Sequence, residues 1–330
     1  MQENGPRHNE TFIALTALWA FVESGLGGLM HALHLPFTGI FLGGFSVIII
    51  SLIARYNPKP YQPIIKATLI VMAVKASVNP MTPPTAYIAV GFQGLTGALL
   101  YSINNRNAAI SMLFAVLAIM ESAFQKLLVL TLIFGTAWYK AIDKFFESIL
   151  KSLSVNSDAS YAFTIVMIYL FIYALWAIIL GWWIHQIPQQ IEHRQHLYKN
   201  LVPEIPSDNK RKKGKKPLLI VITAVILLIA YFLPDKKGSM EALTLLIRTA
   251  AVVALWVLLV APLWRSYVLI KIRNRKDEAT PLILERMPYL TQRTKPLYRE
   301  IQAQYSGFRK WKEFVLGLIV ISLHKDASDK

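Results

Sequence analysis

The sequence contains no cysteine among its 330 residues. This absence excludes disulfide bonds, thiolate nucleophiles, iron–sulfur ligation and cysteine zinc sites. The chain also lacks a phosphate-binding loop, the Gly-x-Ser-x-Gly and His-Glu-x-x-His motifs, and a paired aspartate motif for metal-dependent lipid transfer. An enzyme is therefore unsupported, no cofactor is expected, and the chain has no nucleotide site of its own.

Charged residues are also scarce, at 16%, whereas hydrophobic residues make up 55% and the mean hydropathy is +0.43. A soluble core does not need so much apolar surface. Eight apolar runs approach the roughly 20 residues that cross a bilayer as a helix. They are Thr11–Met30, Gly39–Ala54, Gln62–Val78, Ala86–Ile103, Ala108–Gly135, Ala162–Ile184, Leu218–Leu233 and Met240–Leu263. The sequence therefore predicts an all-α, polytopic integral membrane helix bundle.

The positive charges predict the orientation of these spans. If the N-terminus is inside, 26 of the 35 Lys and Arg residues fall in cytoplasmic segments, five in outer segments and four within spans. Because cytoplasmic loops carry the excess of Lys and Arg, both termini are expected in the cytoplasm. The protein is expected in the inner membrane of the cell. The net charge of +16 is accounted for by the membrane surface, so no nucleic-acid partner is expected.

The charge runs also divide the chain. Residues 1–190 hold six spans, and residues 191–217 form a basic cytoplasmic linker ending in the run Lys210–Lys216. Residues 218–264 form a transmembrane helix pair, and residues 265–330 a basic tail of amphipathic cytoplasmic helices. The apolar run Phe314–Leu323 in that tail is too short to span. We expect it to dock on the inner membrane surface, on the chain's own membrane domain or on a separate ATPase pair.

An amphipathic segment separates the fifth and sixth spans. Apolar residues recur at helical spacing from Ile142 to Leu153, with Asp143, Lys144 and Glu147 on the other side. The pattern predicts a helix on the outer membrane surface, either as an anchor or as a lid over a binding site.

Ionisable side chains inside spans are costly and tend to mark sites. Four spans place a polar side chain at one level, slightly outside the midplane, when helical rise is taken as about 1.5 Å per residue. The candidate solute-binding residues are Glu23, Lys75, Asn79, Gln93, Glu121, Gln125 and Lys126. The alternative is that the charged members neutralise one another and hold the bundle together.

The six N-terminal spans, with polar groups in their outer half, resemble the substrate-binding S component of energy-coupling factor (ECF) transporters. The likeness covers about Thr11–Ile184. It is carried by the stretches Gly25-Leu26-Gly27-Gly28-Leu29 through Leu35-Pro36-Phe37-Thr38-Gly39, and Lys75-Ala76 through Pro84-Thr85-Ala86, then Gly91. In that family, small residues spaced by four on the first helix dock on a coupling subunit, and Thr16 and Ala20 have this spacing.

The tail resembles a truncated T, or coupling, component of the same transporters. The stretch Ile301-Gln302-Ala303-Gln304-Tyr305-Ser306-Gly307, followed by Phe314–Ser322, is similar to its helix, glycine corner and second helix. The likeness implies coupling roles for Gly307, Trp311 and Phe314.

Together the resemblances imply a transport protein that binds a small polar, vitamin-like solute for uptake, with membrane lipids, ATPase subunits and a coupling subunit as partners. Two alternatives stay open. One is a membrane-embedded enzyme that uses Glu121 or Glu23 on a lipid-like substrate. The other is a non-transporting scaffold whose basic tail recruits partners.

Overall fold

The computed structural model describes residues 5–27, 38–78, 82–135, 137–152, 160–199, 263 and 279–323. Every regular element in these ranges is helical, which confirms the predicted all-α class for this part of the chain. The elements are α1 (Gly5–Phe21) with a π-helical turn at Val22–Leu26, α2 (Thr38–Tyr56), α3 (Tyr61–Val78), α4 (Pro84–Ile103), α5 (Ala108–Phe134), α6 (Ala137–Ser152), α7 (Tyr161–Lys199), α8 (Ala279–Gln304) and α9 (Gly307–Leu323). The run Lys210–Lys216 and the predicted spans Leu218–Leu233 and Met240–Leu263, apart from Leu263, lie outside the described residues.

Four described helices are long and apolar enough to cross a membrane: α2, α4, α5 and α7. The helices α1 and α3, which the sequence also predicts to span, are not among them. The regular part of α1 has only 17 residues before the π-helical turn. The helix α3 is continuous, but Lys66 and Lys75 interrupt its apolar sequence. One boundary also differs from expectation, since α7 continues to Lys199, inside the predicted linker.

The outer surface of the bundle carries apolar stripes. On α4 the exposed residues recur every three or four positions, so they share one helix face; they are Ile88, Phe92, Leu95, Leu99 and Ile103. A similar stripe on α7 is formed by Phe171, Leu175, Ile178 and Trp182. Lipid tails satisfy such surfaces and water does not, so the stripes support a membrane-embedded protein.

Small residues allow the helices of the bundle to approach closely. A methyl group added at Gly94 of α4 would lie 2.0 Å from Thr68 Oγ1 of α3, and one at Gly181 of α7 would lie 2.7 Å from Met112 Cα of α5. Glycine is therefore required at both crossings, as is common where helices pack in membranes.

The C-terminal helices form a hairpin that packs on the rest of the chain. Gly307 has φ of +58°, a left-handed conformation that favours glycine, and it joins α8 to α9 as the predicted glycine corner. Both helices contact α1, and α9 also contacts α7. Residues 315–322 of α9 are buried in these contacts. Of the three docking surfaces expected for this tail, the structure therefore places it on the chain's own helices.

The amphipathic segment before the sixth span is helical, as predicted, and forms α6. The carboxylate of Asp143 accepts a hydrogen bond from the backbone N–H of Ala162, at 2.8 Å, and the rings of Phe146 and Tyr161 stack with centroids 5.5 Å apart. These contacts tie α6 to the first turn of α7, so the two helices meet at a fixed corner.

Candidate functional site

A π-helical turn in the first helix positions the central carboxylate of the bundle. The backbone N–H of Gly27 bonds to the carbonyl of Val22, five residues earlier, and Glu23 lies within this widened turn. Turns of this kind are rare and are often found at functional sites. The turn directs the carboxylate of Glu23 into the bundle, where the residue is only 6% exposed.

Glu23 is held by partners from three helices. Lys75 Nζ of α3 lies 2.6 Å from Glu23 Oε2, and the Ser46 hydroxyl of α2 donates to Glu23 Oε1, also at 2.6 Å. The indole Nε1–H of Trp19 then donates to Ser46 Oγ at 3.0 Å. Both carboxylate oxygens are therefore satisfied, and the ion pair has no net charge. The sequence placed Glu23 and Lys75 at one level, and the structure brings them into direct contact.

A second polar group, Gln93, approaches α2 at Gly43, about one helical turn before Ser46. Gln93 of α4 is 2% exposed, and its Oε1 has no hydrogen-bond partner among the described residues. A methyl group added at Gly43 of α2 would lie 3.5 Å from Gln93 Nε2 and 3.7 Å from Ser122 Oγ of α5. Three helices therefore converge at Gly43 around two polar side chains.

Glu121 on α5 lies in the same part of the bundle. Gln125 Nε2 donates to the backbone carbonyl of Thr85 at 2.9 Å, which pairs the start of α4 with this level of the antiparallel α5. Glu121 lies one helical turn nearer to the level of Gln93 than Gln125 does. The Oε2 atom of Glu121 is buried and has no hydrogen-bond partner in the described part of the chain.

The remaining candidates are separate from this cluster. Lys126, a predicted solute-binding residue, is exposed on the outer surface of α5 and does not face the cluster. Gln125 is partly buried, and its amide N–H donates to a backbone carbonyl of α4. Asn79 lies outside the described residues.

The arrangement has one satisfied and one unsatisfied part. The network of Trp19, Ser46, Glu23 and Lys75 needs no further partner. In contrast, no described residue replaces the lost hydration of the buried acceptors Gln93 Oε1 and Glu121 Oε2, at a cost of about 1–3 kcal/mol each. A polar ligand that donates hydrogen bonds between α4 and α5 would recover that cost.

The predicted coupling residues lie in the C-terminal hairpin, against the bundle. The ring of Trp311 contacts three rings of other helices, with centroid distances of 6.2 Å to Phe45, 5.1 Å to Trp176 and 5.4 Å to Trp183. Phe314 makes an edge contact with Tyr298 of α8, with centroids 5.6 Å apart. Trp311 and Phe314 therefore pack inside this chain, while Gly307 at the corner is exposed.

Sequence reasoning missed Trp19, Ser46 and Ser122 as members of the polar cluster. Hydroxyl groups are common in membrane helices because they bond to the carbonyl four residues earlier, as Ser51 does with Val47. Such a residue gives little signal. The one available clue was that Ser46 follows Gly43 and Gly44 within an otherwise apolar span.

The site's chemistry therefore has to be read from these residues and their geometry. Comparison of the chain with protein-family models, with curated proteins and with solved structures found no match.

Proposed function

We propose that this protein binds a small polar solute between its membrane helices and serves in solute uptake. The observation that carries the proposal is a pair of buried acceptors, Gln93 Oε1 and Glu121 Oε2, which have no hydrogen-bond partner among the described residues and accompany the neutral Glu23–Lys75 pair. Ionisable groups inside membrane bundles are functional by default because their burial is otherwise unfavourable. A solute bearing hydroxyl, amine or amide N–H groups fits these acceptors.

The proposed organisation follows the charge pattern of the sequence. Eight spans would place both termini in the cytoplasm, with the solute site in the outer half of the bundle and the protein in the inner membrane. Because the sequence carries no nucleotide-binding motif, energy for uptake would come from separate ATPase subunits, as the likeness to ECF S components implies.

The C-terminal hairpin supports a link to such subunits. Thr16 and Ala20, whose spacing resembles the docking face of S components, are fully buried in this chain, and α8 and α9 pack on the helix that carries them. The hairpin that resembles coupling helices thus contacts the helix on which an S component would dock. We infer that the chain joins a solute-binding part and a coupling part in one polypeptide, with the exposed face of the hairpin left to meet the ATPases.

A non-transporting scaffold is the second candidate, and one observation favours it. The carboxylate of Glu23 has a partner for each oxygen, so the ion pair is complete without a ligand. Charges arranged in this way hold helices together in the absence of any solute.

The experiment that separates the two candidates uses the full-length chain purified in mild detergent. Native mass spectrometry identifies a copurified solute, and its binding is then measured on Glu121→Gln and on Glu147→Gln, a matched control on the exposed face of α6. We expect Glu121→Gln to weaken binding about tenfold, the loss of one charge-assisted hydrogen bond, with little change in melting temperature. If Glu121→Gln lowers the melting temperature and leaves binding by the folded fraction unchanged, the scaffold candidate is favoured.

The coupling part is tested on exposed residues of the hairpin, so that the fold is preserved. Leu282 and Leu284 of α8 are 45% and 41% exposed. Replacing both by Ser should abolish copurification with ATPase subunits and stop uptake, while solute binding persists. Uptake that survives the double substitution would argue against an ATPase contact through this face.

A further inference from the structure

A polar cleft lies at the other end of the bundle from Gln125, where α2 and α4 end and α5 begins. It opens between α2, α4, α5 and α7, and its enclosed volume is about 10 Å³, room for about one water molecule, so any larger group has to bind at its mouth. Its polar lining is formed by Ser51, Arg55, Tyr101, Asn105, Ser111 and His185. None of these residues belongs to the proposed solute site.

Hydrogen bonds fix the walls of this cleft. The buried Tyr101 hydroxyl donates to Ser51 Oγ at 2.6 Å. Asn105 Nδ2 donates to the carbonyls of Ala54 and Asn57, at 3.0 and 3.1 Å, and so ties the turn between α4 and α5 to the end of α2. The cleft therefore has a preformed shape, which lowers the cost of ordering it around a ligand.

Arg55 gives the cleft its charge. It lies in the last turn of α2, and no carboxylate within the described ranges is within 4.0 Å of its guanidinium. Glu192 of α7 acts electrostatically on Tyr56, the residue after Arg55, but it is exposed and lies more than 4.0 Å from the guanidinium. The guanidinium, whose donors match phosphate oxygens in a bidentate manner, thus has its charge available for an anion.

The mouth of the cleft continues into the lipid-facing surface. His185 is exposed, and it extends the apolar stripe of Phe171, Leu175, Ile178 and Trp182 along α7 by one further step. A tryptophan next to polar residues at the end of an apolar stripe is typical of the membrane–water interface. An acyl chain lying on this stripe would bring its headgroup to His185 and Arg55.

We propose that the mouth of this cleft binds the phosphate group of an anionic phospholipid. Arg55 pairs with the phosphate oxygens, the exposed His185 donates a hydrogen bond at the mouth, and the acyl chains follow the stripe on α7. Basic pockets between membrane helices at the cytoplasmic side bind lipid headgroups by the same chemistry.

The test measures lipid binding to the full-length protein in detergent by native mass spectrometry. Phosphatidylglycerol and phosphatidylcholine are titrated against the wild type, Arg55→Gln, His185→Gln and the control Arg106→Gln. Arg106 is an exposed arginine at the same end of the bundle and does not line the cleft. We expect a preference for phosphatidylglycerol that falls about tenfold in Arg55→Gln, falls less in His185→Gln and changes less than twofold in Arg106→Gln.

Inorganic phosphate is the second arm, because a free anion has the same oxygens. If millimolar phosphate displaces phosphatidylglycerol and raises the melting temperature in an Arg55-dependent way, the site binds a soluble anion and the lipid proposal is overturned. If Arg55→Gln and Arg106→Gln weaken phosphatidylglycerol binding equally, the lipid proposal is also overturned, because binding then depends on surface charge in general and not on the cleft. If Arg55→Gln does not fold, lipid binding by His185→Gln is compared with that by Arg106→Gln. Weaker phosphatidylglycerol binding in His185→Gln alone supports the proposal, and equal binding overturns it.

Discussion

The ring of Trp311 packs against the ring of Phe45, with centroids 6.2 Å apart, and thereby joins the C-terminal hairpin to α2. Trp311 also contacts Trp176 and Trp183 of α7. The tail, despite its charges, is therefore part of the bundle. The basic residues of α9, Arg309, Lys310 and Lys312, lie in its first two turns, whereas residues 315–322 are all buried, so the charged and the buried parts of this helix follow one another along its length.

The first prediction concerns this hairpin. Replacing Trp311 by Ala removes a side chain that contacts rings on two other helices, so it should lower the free energy of unfolding by about 3 kcal/mol. Leu284→Ala removes an exposed side chain of the same hairpin and should cost under about 1 kcal/mol. Denaturant titration of both variants in detergent, followed by circular dichroism, measures the difference. Equal stability of the two variants would mean that the hairpin is not docked as described.

The sequence predicts the four long apolar helices α2, α4, α5 and α7 because long apolar runs carry a strong local signal. It also predicted that Glu23 and Lys75 share a level, since helical rise converts sequence position into depth. The sequence does not predict which helices pack against one another. The docking of Trp311 on α2 and α7 depends on contacts between distant parts of the chain, and three surfaces fitted the amphipathic pattern equally well.

The polar cluster shows a similar limit. Counting residues along α1 cannot predict the π-helical turn that holds Glu23, because one extra residue in a turn leaves the apolar pattern almost unchanged. Nor does the sequence indicate which buried charges find partners. Lys75 pairs with Glu23, whereas Lys126 is exposed on the outer face of its helix.

The second prediction tests the close approach of α3 and α4. A Cβ atom at Gly94 would lie 2.0 Å from Thr68 Oγ1 and 2.8 Å from Thr68 Cβ, so Gly94→Ala must push the two helices apart. We expect a loss of about 1–3 kcal/mol in the free energy of unfolding. Gly91→Ala, on the same helix with no atom within 4 Å of the added methyl group, is the matched control. Adding Thr68→Ala should recover part of the loss, and failure of both contrasts would contradict the described packing.

The third prediction concerns topology. Reporter domains fused after Lys59, Lys213 and Lys330 should remain in the cytoplasm, and one inserted between Pro80 and Pro84 should be exported, because 26 positive charges favour one side and five the other. Paired alkaline phosphatase and fluorescent protein fusions report the two sides independently. An exported fusion at Lys330 would overturn the assignment of both termini.

The fourth prediction concerns the Glu23–Lys75 pair. Lys75→Met leaves the carboxylate of Glu23 buried without its cation, and breaking a buried pair in this way costs about 3–5 kcal/mol. Glu23→Gln together with Lys75→Met removes both charges and keeps similar volumes, so most of that loss should be recovered. A double-mutant cycle on unfolding free energies in detergent therefore gives a large coupling energy between the two positions.

A matched cycle makes this result specific to the pair. Lys126→Met removes an exposed lysine of α5, so it should be nearly neutral alone and additive with Glu23→Gln. Additivity for Lys75 as well would show that the two charges do not stabilise one another in the folded protein. If the Glu23→Gln, Lys75→Met double variant is stable and still binds the copurified solute, the pair supports the bundle, and the ligand contacts are left to Gln93 and Glu121. If the double variant is stable but no longer binds, the pair belongs to the solute site itself.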